Sequence, residues 1–172
     1  VRTPAIPMKP PLLFLCHRIP FPPNKGDKIR SWNLLRYLGE HYRVYLGTFV
    51  DDADDWQHVA RVEEICADSC FVGLTPHLAR LNSLFAFVTG HALSLPYYRS
   101  RKLKQWVRKT VAEQRIPRVI VYSSAMAQYA LDDTLDFERR VIDFVDIDSD
   151  KWRQYAANKR WPMSWLYRRE AD

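Results

Sequence analysis

The sequence lacks the long apolar runs that membrane-spanning helices require. None approaches the roughly 18 to 20 residues needed to cross a bilayer, and no signal peptide is visible. Repeats and low-complexity segments are also missing from residues 11–172. We therefore expect one cytoplasmic domain over residues 11–172. Residues 1–10 are proline-rich without apolar periodicity, and we expect them to be a disordered leader or an expression remnant.

Cysteine is scarce, and its number is odd. Cys16, Cys66 and Cys70 lie in apolar surroundings, which argues against a disulfide framework and for a reducing compartment. Cys66 and Cys70 lack the CxxC spacing and have no second pair nearby, so they are not expected to bind metal. We predict buried free thiols.

Three familiar ligand motifs are absent as well. The stretch "PPNKGDK" (residues 22–28) lacks the GxxxxGK[ST] spacing of a Walker loop, and no GxGxxG dinucleotide fingerprint is present. The aspartate-rich stretch "VDIDSDK" (residues 145–151) lacks the glycine and the distal glutamate of an EF-hand. The sequence therefore gives no motif-based reason to expect a P-loop, a dinucleotide site or an EF-hand.

The chain does contain short apolar runs that alternate with helical patterns. Such alternation predicts a mostly parallel sheet, hence an α/β, Rossmann-like doubly wound fold. The apolar runs predict strands over residues 12–16, 43–49, 70–74, 118–122 and 139–145. Helices are predicted over 27–39, 54–67, 75–90, 97–114 and 125–131, with a helical remainder after residue 145.

Two of these helices carry specific expectations. In the first, Asp27 is predicted as the cap, Ile29 as a buried residue and Gly39 as the C-terminal stop. In the second, Trp56 is predicted to lie on the buried side.

Polar segments follow most of the predicted strands. They cover residues 17–27, 50–52, 123–124 and 146–151. Ligands of doubly wound sheets bind beyond the carboxyl ends of the strands, so these segments are candidates for a shared site. Each of them also fits an ordinary helix cap.

The loop after the first strand has the most distinctive composition. Its prolines restrict the backbone, and Gly26 stands immediately before a helix, where backbone N–H groups can face an anion. Lys25, Lys28 and Arg30 would add positive charge. Gly26 fits a phosphate contact and a plain turn equally well.

Two further segments have both a functional and an ordinary interpretation. Asp146 and Asp148 could act as a base or bind sugar hydroxyls, and they could equally cap a helix or be solvated. The net charge of +6 favours anionic partners. The basic segment could contact lipid headgroups or nucleic acid, or form the solvated face of a helix. Its cations are Arg99, Arg101, Lys102 and Lys104.

Over residues 11–170, the chain resembles the amino-terminal half of retaining glycosyltransferases of the large group-1 (family 4) class. It is most similar to sugar transferases of bacterial exosortase and exopolysaccharide systems. The resemblance rests on "FLCHRIPFPPNKGDKIRSWNLLRYL", "GTFVDD", "LSLPYYRS", "YSSAMAQY" and "DFVDIDSDKWRQYA".

The resemblance implies one half of a GT-B architecture, in which two Rossmann-like domains face each other across a cleft. It implies sugar transfer from a nucleoside diphosphate sugar to a glycan or lipid-linked hydroxyl acceptor, without a metal or other cofactor. Nucleic acid is not an expected partner, and some members touch the membrane through a basic surface, here Arg99 to Lys104. Asp146 is the candidate catalytic residue, although relatives often have His-Asp where this chain has Val145-Asp146. The implied substrate-binding residues are Asn24, Lys25, Gly26, Asp27, Arg30, Ser123, Ser124, Asp148 and Lys151.

The resemblance also implies that the donor-binding carboxy-terminal domain lies beyond residue 172, so that this chain alone is expected to be inactive. Two other readings fit the residues. One is a non-enzymatic basic α/β module that binds nucleic acid or a membrane surface. The other is an unrelated nucleotide-binding Rossmann domain.

Overall fold

The computed structural model of the chain describes residues 9–74 and 97–145. The predictions for residues 1–8, for the helix over 75–90 and for the chain after residue 145 fall outside these ranges. That last segment contains Asp146, Asp148 and Lys151. No helix within the described ranges is long and apolar enough to cross a membrane.

Five parallel strands form one sheet. They are β1 (Pro11–Cys16), β2 (Arg43–Val50), β3 (Asp68–Gly73), β4 (Arg118–Tyr122) and β5 (Arg139–Asp143). Their order is β3-β2-β1-β4-β5, with β1 between β2 and β4. This order confirms the predicted α/β, Rossmann-like fold. It also places the reversal of strand order between β1 and β4.

Helices cover both faces of the sheet. Leu13 and Leu15 of β1 pack with Leu103 on one face, whereas Phe14 packs with Leu35 on the other. Each fully buried leucine or phenylalanine contributes about 1.5–3 kcal/mol, so β1 forms the centre of the core. The α-helices are α1 (Gly26–His41), α2 (Val59–Glu63) and α3 (Arg101–Gln114), and two 3₁₀ helices span Ala53–His58 and Ser124–Tyr129.

Helix α1 differs from its prediction at both ends. Its N-cap is Lys25, without a side-chain cap, so Asp27 lies within the first turn. It continues through Gly39, which is needed for packing because an added Cβ would collide with the Ile65 side chain. Ile29, predicted to be buried, is 47% exposed.

The predicted second helix is divided in two. The Asp52 side chain accepts a hydrogen bond from the Asp54 N–H at 3.1 Å and starts a 3₁₀ turn, which precedes the five-residue α2. As a result, Trp56 is 46% exposed, contrary to prediction. Helix α3 begins at residue 101 instead of 97, because Ser100 caps it by accepting from the Leu103 N–H at 3.2 Å.

The cysteines are free thiols, as predicted. Cys16 and Cys70 are buried, and Cys66 is partly buried. Burial raises the pKa of Cys16 and of Cys66 to about 12. These thiols are therefore unreactive packing groups.

Candidate functional site

The candidate site lies where the order of the strands reverses. Cys16 and Tyr122 are paired at the carboxyl ends of β1 and β4. The loop that begins at His17 and the segment that begins at Ser123 therefore start side by side. This is the position at which doubly wound sheets bind their ligands.

Arg18 joins three segments at this edge. Its Nε donates to Asp51 Oδ2 at 2.6 Å, beyond the end of β2, and its Nη1 donates to Asp27 Oδ2 at 3.1 Å, in the first turn of α1. Burial alone would raise the pKa of Asp27, but the Arg18 guanidinium holds it below its usual value. Arg18 thus fixes the loop between β1 and α1.

His17 lies against two tyrosine rings. Its imidazole stacks on Tyr122, with ring centroids 6.0 Å apart, and meets Tyr98 edge-on at 5.9 Å. Its Nε2 is 3.5 Å from Asp27 Oδ2, and its Nδ1 is buried without a hydrogen-bond partner in the described part of the chain. Burial, with help from the Arg18 charge, lowers the pKa of His17 below 6.5. Burial therefore favours the neutral form of the ring.

A second ion pair joins α1 to the last strand. Arg30 Nη2 donates to Asp143 Oδ2 at 2.6 Å, and the Arg30 guanidinium lies 5.7 Å from the centroid of the Tyr122 ring. The Tyr122 hydroxyl donates to the Asp27 carbonyl at 3.2 Å. These contacts connect the ends of β4 and β5 with the start of α1.

Lys28 has a different role from the one expected of a phosphate ligand. Its ammonium lies 2.5 Å from Asp55 Oδ2, and both side chains are buried. The pair fastens the first turn of α1 to the 3₁₀ helix after β2. Lys28 is therefore occupied by a structural contact.

Ser123 has an unusual backbone conformation. Its φ of 91° and ψ of 135° lie outside the regions that L-residues normally adopt. Two backbone hydrogen bonds hold it, because its N–H donates to the Asp143 carbonyl at 2.8 Å and its own carbonyl accepts from the Met126 N–H at 3.1 Å. Strain of this kind is concentrated at functional sites.

Gly26 is not required by the fold. Its φ is not in the left-handed region, and an added Cβ would meet no atom within 4 Å. The missing side chain instead leaves open space at the N-terminus of α1. A ligand could use that space and approach the backbone N–H groups there.

The structure brings several of the predicted site residues to this edge. Asp27, Arg30 and Ser123 take part in the contacts described above. Lys25 and Asn24 are exposed beside Gly26, and Ser124 begins the 3₁₀ helix after β4. Asp146, Asp148 and Lys151 lie outside the described residues.

Sequence reasoning missed six residues that the structure adds to the site. Four of them lie within or next to the polar segments that follow the strands, so their position was the available signal. Tyr98 and Asp143 gave no such signal, because Tyr98 precedes a helix and Asp143 lies within the last strand. The six are His17, Arg18, Asp51, Tyr98, Tyr122 and Asp143.

The basic segment is partly engaged within the fold. Lys102 Nζ donates to the Phe71 carbonyl at 3.2 Å, and Lys104 Nζ lies 3.1 Å from Asp132. Arg99 and Arg101 are exposed. Two of the four predicted surface cations therefore stabilise local structure.

Within residues 9–74 and 97–145, no group of three or more His, Cys, Asp or Glu could hold a metal ion. A scan against protein-family models, a search of curated proteins and a search of solved structures each return no match to this chain.

Proposed function

We propose that this chain is the acceptor-side, amino-terminal domain of a retaining glycosyltransferase with GT-B architecture. The enzyme transfers a sugar from a nucleoside diphosphate sugar to a hydroxyl of a glycan or lipid-linked acceptor, in bacterial exopolysaccharide or other glycan synthesis. A second Rossmann-like domain supplies most of the groups that bind the donor.

One observation carries the proposal: the separate segments of the resemblance meet at one point in space. Arg18 from the first segment is bonded to Asp51 from "GTFVDD". His17 contacts Tyr98 from "LSLPYYRS" and Tyr122 from "YSSAMAQY". Asp143, which begins "DFVDIDSDKWRQYA", pairs with α1. Segments that are distant in sequence but converge beyond the carboxyl ends of parallel strands are what a shared binding site requires.

The contacts suggest what this domain does during transfer. The Arg18 bridge and the Arg30–Asp143 pair hold the first loop and α1 against the strand ends, so the acceptor meets a preformed wall. The N-terminus of α1, left open by Gly26, favours negative charge and can help stabilise the departing diphosphate. Asp146 is the proposed sugar-contacting or acid/base residue.

The proposal is tested on the whole protein that the gene encodes. The purified protein is incubated with a panel of nucleoside diphosphate sugars and with glycan and lipid-linked acceptors. Mass spectrometry identifies the product, and NMR of the new linkage gives its anomeric configuration. Transfer with retention supports the proposal, whereas failure to consume any sugar nucleotide contradicts it.

Gly26→Val provides a test of the site within that assay. Because the added side chain has open space, the variant is expected to fold with a Tm within about 2 °C of the wild type. It should nevertheless lower kcat/KM at least about tenfold, since it fills the space beside the helix N-terminus. Asn33→Val, on the same exposed side of α1 two turns away, is the matched control and should retain activity. If Gly26→Val and Asp146→Asn both leave transfer unchanged, the assigned site is wrong.

A further inference from the structure

We propose that Trp56 is a sugar-stacking residue, which extends the acceptor site along the carboxyl ends of the strands and favours oligosaccharide over monosaccharide acceptors. This inference rests on the proposed function and specifies the length of its acceptor. Two features carry it, the exposure of an indole at the strand ends and the contacts that hold this indole in place.

Trp56 differs from the other tryptophans of the described ranges. It is 46% exposed, whereas Trp32 is 8% exposed and Trp106 is partly buried, with its indole N–H donated to Asp68 at 3.2 Å. No hydrogen bond from the Trp56 indole N–H occurs within those ranges. Since a single exposed aromatic side chain needs no functional explanation by itself, its position and its surroundings must decide.

The indole lies at the carboxyl end of β3. A Cβ added to Gly73, the last residue of that strand, would stand 3.3 Å from Trp56 Cζ2. Gly73 pairs with Val50, and the next residue, Asp51, accepts from Arg18 at 2.6 Å. Because β2 separates β3 from β1, the end of β3 lies two strand spacings, about 10 Å, from the end of β1. That distance exceeds one sugar ring and matches a short oligosaccharide.

The indole is held in place before any ligand arrives. Gly73 has no left-handed φ, so its missing side chain is explained by the close approach of Trp56. Asp55, the preceding residue, is buried with Lys28, whose ammonium lies 2.5 Å from its Oδ2. Asp52 caps the same 3₁₀ helix. A side chain that is fixed in advance loses little entropy on binding, so its contact contributes more to affinity.

The surroundings of the indole suit a sugar. The face of a sugar ring that carries C–H groups can pack on an aromatic ring, and its hydroxyls can donate to carboxylates. Asp52 and Asp54 are exposed on the same segment as Trp56, and neither forms an ion pair within the described ranges. A nucleic-acid base could also stack on the indole, but its phosphates would approach these two carboxylates. The combination of indole and carboxylates therefore favours a saccharide.

Acceptor length tests this role in the whole protein that the gene encodes. The acceptors are p-nitrophenyl glucoside and p-nitrophenyl cellotetraoside, or the equivalent pair of the hexose that the transfer assay identifies. Trp56→Ala should raise KM for the tetrasaccharide at least about fivefold, with kcat and the monosaccharide KM within about twofold of the wild type. Trp56→Tyr keeps an aromatic ring and should recover most of the lost affinity.

Tyr37→Ala is the matched control. Tyr37 is also an exposed aromatic residue, at 57%, but it lies in the second half of α1, away from the carboxyl ends of the strands. Its replacement should leave both KM values unchanged. A structural role of Trp56 would change the KM of the short and the long acceptor alike, and that result would overturn the inference.

Direct contact is measured by fluorine NMR on the protein labelled with 5-fluorotryptophan. The resonance of Trp56 is the one missing from Trp56→Tyr, and it should shift with the tetrasaccharide and not with the monosaccharide. An unshifted resonance, or an unchanged tetrasaccharide KM in Trp56→Ala, overturns this inference and leaves the proposed function standing. A wild-type protein that transfers no sugar to any acceptor overturns both.

Discussion

The two ends of the parallel strands, called here the amino edge and the carboxyl edge, use polar side chains in different ways. At the amino edge, the Gln114 side-chain oxygen accepts from Arg43 at 2.9 Å and from the Tyr45 hydroxyl at 2.8 Å. The Arg115 N–H closes α3 by donating to the Val111 carbonyl. These contacts join β2 to the end of α3 and terminate that helix, so their role is to stabilise the fold.

Contacts of similar length join residues far apart in sequence at both edges, since Gln114 lies 71 positions from Arg43 and 69 from Tyr45. At the carboxyl edge, however, such contacts surround the reversal of strand order between β1 and β4. Arg18 lies 33 positions from Asp51, and Arg30 lies 113 positions from Asp143. The charged groups remain partly exposed around the strand reversal. Both edges also have strained residues, Arg115 at the amino edge and Ser123 and Val145 at the carboxyl edge, and the latter two lie where a ligand is expected. We infer that the contacts at the amino edge serve stability, whereas the carboxyl edge combines stabilising pairs with the candidate binding site.

The largest expected change in folding stability comes from the Lys28–Asp55 pair, which lies at the carboxyl edge. Asp55→Ala leaves the Lys28 ammonium buried without its partner and should lower the free energy of unfolding by about 3–5 kcal/mol. Urea denaturation monitored by circular dichroism measures it. Asp54→Ala, at an exposed neighbouring position, should cost less than about 0.5 kcal/mol.

A double substitution separates the missing charge partner from the lost volume. Lys28→Met with Asp55→Leu removes both charges and should recover most of the lost stability. If Asp55→Ala alone is as stable as the wild type, the pair is not a structural anchor, and Lys28 returns to the list of candidate ligands.

The next largest loss of folding stability is expected from the cluster around Asp132, in the loop that leads to the amino end of β5. Asp132 accepts from Thr134, Arg108 and Lys104. The Thr134 hydroxyl, followed by these cations, holds the pKa of Asp132 far below its usual value, against the opposing effect of burial.

Asp132→Ala should therefore cost about 1–2 kcal/mol of unfolding free energy without changing sugar transfer. The cost should shrink as the pH falls below about 3.8, where the carboxyl of the unfolded chain gains its proton. Asp133→Ala, at the exposed next residue, is the control. A loss of transfer in Asp132→Ala at unchanged stability would contradict the separation between the binding edge and the rest of the molecule.

The strands could be predicted because their signal is local. Residues 119–122 form a continuous apolar run, and β4 spans Arg118–Tyr122. The ends of helices were harder, because tertiary contacts decide them. Gly39 has the local features of a helix stop. A glycine is instead needed there because a side chain would collide with Ile65, which is 26 positions away.

The location of the candidate site could be predicted from the sequence, but the pairing of its side chains could not. The rule that ligands bind at the carboxyl ends of parallel strands identified the loop after β1 and Ser123. No local pattern predicts that Arg18 is shared by Asp27 and Asp51, or that Lys28 is buried with Asp55, because these pairs depend on loop conformations. Carboxylates, mostly from other segments, therefore pair with the positive charges of Arg18 and Lys28.

The smallest expected effect concerns His17 and distinguishes the carboxyl edge by its response to pH. Because the folded protein lowers the pKa of His17 below 6.5, the unfolded chain binds more protons as the pH falls from 7 to 5, so folding stability decreases over that interval. His17→Gln should reduce this slope, whereas His41→Gln, at an exposed position on α1, should keep it. Urea denaturation at pH 7, 6 and 5 measures all three proteins. An unchanged slope in His17→Gln would mean that the imidazole is not held neutral, and the rim would then carry an additional cation able to meet an anionic ligand.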